Sequence, residues 1–139
     1  MDFVCELKTN GTDGFLVVFP DVPEALTEGA TRDEAIENAA DALEVALLGR
    51  MKDGDDIPDQ RRNNSGVVVH VSAQASAKLA FYAAFRTSGL SQSALARKIG
   101  KDEAEIRRML DPYHATKLPA LDEALHALGQ RFVLGVEPA

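Results

Sequence analysis

Side chains able to hold a metal or attack a substrate are sparse in this sequence. Its three histidines fall at His70 inside an apolar, β-branched run, at His114 in a loop-like stretch and at His126 on a helix. No spacing joins them into the His, Cys or carboxylate clusters that transition metals require. Cys5 is the single thiol. It sits among apolar residues with no base nominated beside it, so it reads as a buried thiol rather than a nucleophile. The acidic stretch Asp53–Asp59 lacks the ligand spacing and terminal Glu of a calcium loop and reads as solvated charge. Gly11 and Gly14 belong to a turn, not to a phosphate cradle. No catalytic residue, metal or cofactor is therefore expected, and the chain is not expected to be an enzyme. The chemistry that remains is that of cations near the C-terminus. Arg107 and Arg108 fall outside an apolar stripe, directed toward solvent or toward DNA phosphates and bases, and Lys101 and Lys117 flank them.

Two short helices must position those cations. Over Leu90–Asp111 the spacing predicts a helix after Ser91, a tight turn at Gly100 and a second helix after Asp102. Ser91 and Asp102 are good N-caps, because their side-chain oxygens can accept from orphan backbone N–H groups of the first turn. Glu105, three after Asp102, completes something close to a capping box. Leu95 and Ile99 form the buried stripe of the first helix, and Ile106, Met109 and Leu110 that of the second. Gly100 can take the positive φ that ends one helix and aims the next. The series Gln92, Ala96, Gly100, Ile106, Met109 resembles the helix-turn-helix of Cro and lambda-repressor-like DNA-binding domains; a helical hairpin without nucleic-acid function is the alternative. The resemblance implies a recognition helix over Asp102–Leu110, its N-terminal end toward base edges in the major groove. Ser91 and Gln92 would then hold a phosphate at the start of the preceding helix. Arg107 and Arg108 would read bases or phosphates, Glu103 could accept from a cytosine amino group, and Lys101 and Lys117 would contact phosphates. Arg97 and Lys98 could do the same or be solvated charge. The acidic Asp102 and Glu103 suggest weak binding by a monomer and a dimer on a palindrome.

The 139 residues carry a net charge of −7, with 45% hydrophobic and 27% charged residues. That suits one domain or two small ones. The charge is unevenly spread: residues 1–66 hold 6 Lys/Arg against 15 Asp/Glu, whereas residues 67–139 hold 9 against 7. The acidic half suits a basic protein partner and the other half suits DNA. No run is long and apolar enough for a transmembrane helix, and the N-terminus has no signal-peptide pattern, so a cytoplasmic protein is expected.

Taken in order, Phe3–Lys8 is strand-like, Thr9–Gly14 is a turn and Phe15–Phe19 is a second strand, together a hairpin. Pro20 and Pro23 end it. Ala25–Gly29 allows a short third strand. Thr31-Arg32-Asp33-Glu34 is a capping box that starts a helix running to about Met51, with Ala35, Ile36, Ala39, Leu43, Ala46, Leu47 and Met51 on one face. Gly54–Gly66 is a loop, and Val67–Val71 a buried-type strand. Ala73–Thr87 is helical, Leu118–Leu128 is a further helix, and Phe132–Val136 resembles a short terminal strand. The fold class is α+β: a β-β-(β)-α-β domain over residues 1–71, then an all-α helix-turn-helix domain with a terminal strand over residues 72–139.

The first half carries its own resemblance. F-P-D-V-P at Phe19–Pro23, followed by L-T-E-G-A-T-R-D-E-A-I-E-N-A-A-D-A-L at Leu26–Leu43, resembles the HicB family of antitoxins. A helix-turn-helix domain behind it matches one subtype of that family. The resemblance implies a partial ribonuclease H-like first domain that covers the active site of HicA, a small basic messenger-RNA-cleaving toxin. It also implies a second domain that dimerises on operator DNA and represses the pair's own operon. Asp21, Val22, Pro23 and Glu24 would contact the toxin; Glu24-Ala25 departs from the family, which often carries Gly with a small residue there. Two other readings stand beside this one. A ligand-sensing DNA-binding regulator would need a pocket with convergent polar groups, which the apolar strands do not offer. A metal-dependent nuclease would have Glu6 alone to start from.

Overall fold

The computed structural model describes residues 1–9, 11, 13–59 and 66–139. Asn10 and Thr12 of the expected hairpin turn, and residues 60–65 of the expected loop, lie outside the described residues. The chain forms two compact units, residues 1–76 and 77–139.

The first unit is an antiparallel sheet covered by one helix. Strand β1 (Asp2–Thr9) lies between β2 (Phe15–Val18) and β4 (Val67–His70), and β3 (Thr27–Gly29) is added beside β2, giving the order β3-β2-β1-β4. Phe3 pairs with Val69 and Leu7 with Val17, so directly opposed residues put Phe3, Cys5, Val17 and Val69 on one face. All four are buried. Helix α1 (Arg32–Asp53) lays Ala35, Ala39, Leu43, Leu47 and Met51, spaced by four, onto that face. Thr31 caps it, its hydroxyl accepting from the Glu34 N–H at 3.1 Å. Gly54 closes it in the left-handed conformation. Gly29 ends β3 against the first turn of α1: a Cβ there would lie 2.4 Å from the Ala35 nitrogen. Only glycine permits that approach.

The sequence expectation is corrected at two places. Ala25 and Leu26 are not strand; the Ala25 N–H donates to the Val22 carbonyl in a turn, so β3 starts only at Thr27. The expected terminal strand over Phe132–Val136 does not form. The second unit holds helices only, so an extended segment there has no ladder to join.

That second unit contains most of α2 (Ala73–Ser88), then α3 (Gln92–Ile99), α4 (Glu103–Leu110) and α5 (Leu118–Ala127). Its core is built from Ala77, Phe81, Leu95, Ala96, Ile106, Met109, Leu121 and Ala124. Phe81 and Phe85 stack along α2 with ring centroids 6.3 Å apart. Phe132 packs against the rim of this core, while Val133, Leu134 and Val136 are 87%, 86% and 96% exposed.

Candidate nucleic-acid interface and partner-facing loop

The turn between α3 and α4 follows from three local interactions. Ser91 Oγ accepts from the Ala94 N–H at 3.1 Å, starting α3. Gly100 adopts φ 69° and ψ 32°, so its own N–H and that of Lys101 reach back to the carbonyls of α3's last turn. Asp102 Oδ1 accepts from the Glu105 N–H at 3.0 Å and starts α4. Leu95, Ala96, Ile106 and Met109 are buried between the helices, so the small Ala96 sits inside the core. The outward side of α4 is left to Glu103, Arg107 and Arg108, all exposed. Glu103 and Arg107, four apart, share one face.

The remaining sequence-predicted contacts divide. Ser91 is exposed and serves as the cap, Gln92 is half-buried at the first turn of α3, and Lys117 is exposed immediately before α5. Lys101 is placed differently from a bare phosphate contact. Its ammonium lies 3.9 Å from Glu105 and 3.9 Å from Glu123, so two carboxylates already compete for it.

One residue of this region escaped the sequence pattern. Lys78 on α2 is only 2% exposed, and its ammonium donates to the Arg108 carbonyl at 3.3 Å, the Thr116 hydroxyl at 2.9 Å and the His114 carbonyl. Burial pushes its pKa down, with the nearby Asp111 acting the other way. The signal available was a lone charge in A-Q-A-S-A-K-L-A-F-Y-A-A-F at 73–85.

In the first unit, the loop after β2 folds through short turns, with the Val22 N–H on the Phe19 carbonyl at 3.1 Å and the Ala25 N–H on Val22 at 2.9 Å. Of the four residues expected to meet a partner, Val22 is fully buried in the core and so offers no contact surface as folded. Asp21 is half-buried, and Pro23 and Glu24 are exposed. Both Glu24 oxygens are held by Arg50 of α1 at 2.6 and 2.7 Å. That interaction depresses the Glu24 pKa and raises that of Arg50.

Each histidine is engaged within its own unit. His70 meets Asp2 at 2.6 Å, His114 meets the Thr116 hydroxyl at 3.0 Å, and His126 meets the Asp122 carbonyl at 3.1 Å. Among the described residues no group of three or more His, Cys, Asp or Glu is placed to hold a metal. Cys5 is buried, and desolvation pushes its thiol pKa up, away from nucleophilic use. No helix among the described residues is long and apolar enough to cross a membrane.

Residues 3–80 match the family described as "HicB_like antitoxin of bacterial toxin-antitoxin system". Antitoxin HicB of Escherichia coli strain K12 is 39% identical over 122 residues, spanning 87% of this chain and 88% of that protein. Antitoxin HicB 1 of Photorhabdus laumondii is 36% identical, spanning 89% of this chain and 79% of that protein. Among solved structures, the N-terminal domain of Burkholderia pseudomallei antitoxin HicB is similar at 22% identity and a TM-score of 0.43, covering 52% of this chain and 98% of that one. A family match over more than half of the sequence, with relatives aligned across both units, settles the assignment: this chain belongs to the HicB-like antitoxins of bacterial toxin–antitoxin systems.

Proposed function

We propose that this protein binds and neutralises a small basic, messenger-RNA-cleaving toxin of the HicA type and represses its own operon by binding operator DNA as a dimer. Toxin binding belongs to the part over residues 1–71, and DNA binding and dimerisation to the part over residues 72–139. The observation that carries the reading is the pair of capped helices about Gly100, with Arg107 and Arg108 exposed on the second, in a chain whose other half is strongly acidic. Arg107 and Arg108 read bases or phosphates, and Ser91, Gln92 and Lys117 hold the backbone. Glu103 accepts from an exposed base amino group. Lys101 joins them once a phosphate outcompetes Glu105 and Glu123. Asp21 and Pro23 face the toxin, on a loop whose shape Val22 sets from the core and Glu24 sets through Arg50. The acidic surface speeds encounter with a basic partner.

The experiment is a separation of activities. Arg107→Ala abolishes a band shift on the DNA upstream of the operon, while the same variant still rescues growth of cells expressing the adjacent toxin gene. Loss of both activities together overturns the division of labour. Failure of the unaltered protein to rescue growth overturns the antitoxin reading itself.

A further inference from the structure

The ammonium of Lys78 is where the second unit departs most from an apolar core. Removing such a charge from water is costly unless every donor finds an acceptor. Here three N–H donors meet three oxygens: the Arg108 carbonyl, the His114 carbonyl and the Thr116 hydroxyl. The acceptors come from two separate pieces of chain. Arg108 is in the last turn of α4, where its carbonyl also accepts the Asp111 N–H at 3.2 Å and a cation complements the helix dipole. His114 and Thr116 belong to the connection between α4 and α5. Thr116 is itself buried, lies 3.5 Å from the Arg108 carbonyl as a donor and 3.0 Å from His114 Nδ1. The rest of the connection is folded by its own bonds, Tyr113 N–H to Asp111 Oδ1 at 2.9 Å and Thr116 N–H to the His114 carbonyl at 2.9 Å. A methionine at position 78 would fill the same volume, so packing alone does not call for lysine. The ammonium supplies registration: it holds the end of α4 and the connection at fixed separation.

We propose that Lys78 is a positioning residue for the DNA-facing surface, tying the Arg108 end of α4 to the connection that presents Lys117. The inference rests on the DNA-binding reading above and adds to it a residue that never touches DNA. Arg108 and Lys117 carry the outward charges, and Lys78 fixes how far apart they stand. Two phosphate contacts can be made together only when that distance matches the duplex backbone.

The test uses the full-length protein and a fluorescein-labelled duplex carrying the DNA immediately upstream of the operon, titrated at several salt concentrations. Each lost phosphate contact lowers the slope of log affinity against log salt by about 1. Lys117→Ala and Arg108→Ala are each expected to lower it by about 1 per protomer. Lys78→Met is expected to lower it although position 78 is buried, and Lys117→Ala is expected to add little in that background. Lower stability alone would reduce the binding-competent fraction and leave the slope unchanged. Thr116→Val removes one acceptor and keeps the side chain's shape, so a smaller fall in slope is expected even if Lys78→Met does not fold. An unchanged slope in Thr116→Val or in folded Lys78→Met, or full additivity of Lys78→Met with Lys117→Ala, overturns the inference while leaving the DNA reading intact. Absence of salt-dependent binding by the unaltered protein, with Arg107→Ala indistinguishable from it, overturns that reading and the inference with it.

Discussion

Glu24 and Arg50, twenty-six residues apart, meet in a two-pronged ion pair: Arg50 Nε donates to Glu24 Oε2 at 2.6 Å and Nη2 to Oε1 at 2.7 Å. The guanidinium fork matches both carboxylate oxygens, the geometry that makes an arginine pair directional. It ties the loop after β2 to the last turns of α1, and so fixes the loop whose outward residues are Asp21 and Pro23. The Glu24 side chain is 46% exposed, so water screens the pair and its contribution stays below about 1 kcal/mol.

The sign of the pH dependence follows from the depressed Glu24 pKa. A carboxyl that binds its proton less tightly folded than unfolded adds stability above its ordinary value of 4.5, and loses it as pH falls through the lower, folded value. Denaturant midpoints of the protein and of Glu24→Gln are therefore expected to differ at neutral pH and to converge on acidification below 4.5. A gap that persists once Glu24 is protonated would mean that the carboxylate is not what secures the loop.

Two glycines of the first unit give opposite expectations for the same substitution. Gly29 faces the α1 backbone so closely that a methyl group must displace β3 or the helix start, at a cost of about 1–3 kcal/mol. Gly49 lies within α1 with no heavy atom within 4 Å of its would-be Cβ, so alanine there adds about 0.5–1 kcal/mol by relieving backbone entropy. Urea titrations of Gly29→Ala and Gly49→Ala should move the midpoint in opposite directions. Equal shifts would show that the β3–α1 contact is not close-packed in solution.

The Asp102 side chain caps α4 through the 3.0 Å bond from the Glu105 N–H. Asp102→Ala is expected to cost the second unit about 1 kcal/mol, and Asp102→Asn much less, because the amide oxygen can still accept. Thermal melts followed by helical circular dichroism check this. If both variants lose the same amount, the charge of Asp102 at the positive end of the helix matters more than its hydrogen bond.

What the sequence made legible was local. Thr31, Ser91 and Asp102 announce helix starts because a cap joins residues three apart. Gly100 announces a turn because one residue's φ decides it, and the four-spaced apolar residues of α1 announce its buried face. What was hidden depends on partners distant in the chain. Glu24 and Arg50 carry no mutual mark. Val22 looks like a loop residue beside two prolines, yet it is a fully buried core residue of the first unit. Lys78 is one charge in an otherwise helix-forming stretch, and nothing in the sequence links it to Arg108, His114 and Thr116. The residues that shape both candidate surfaces, Glu24 and Lys78, belong to this hidden class. The outward placement of Arg107 and Arg108 was readable from periodicity.

The C-terminal segment separates strand-like composition from strand formation. Phe132-Val133-Leu134-Gly135-Val136 has the β-branched and aromatic residues of a strand, but a strand needs a ladder and the second unit supplies helices. Phe132 alone leans on the helical core. Truncation after Phe132 is thus expected to leave thermal stability within about 0.5 kcal/mol, since the deleted side chains make little buried contact. Phe132→Ala in the full-length chain is expected to cost about 1–2 kcal/mol for the apolar surface it returns to water. The two variants should be compared at low protein concentration and again at high concentration. A truncation penalty at every dilution would show the tail packed onto its own unit; one that grows with concentration would show it packed between copies.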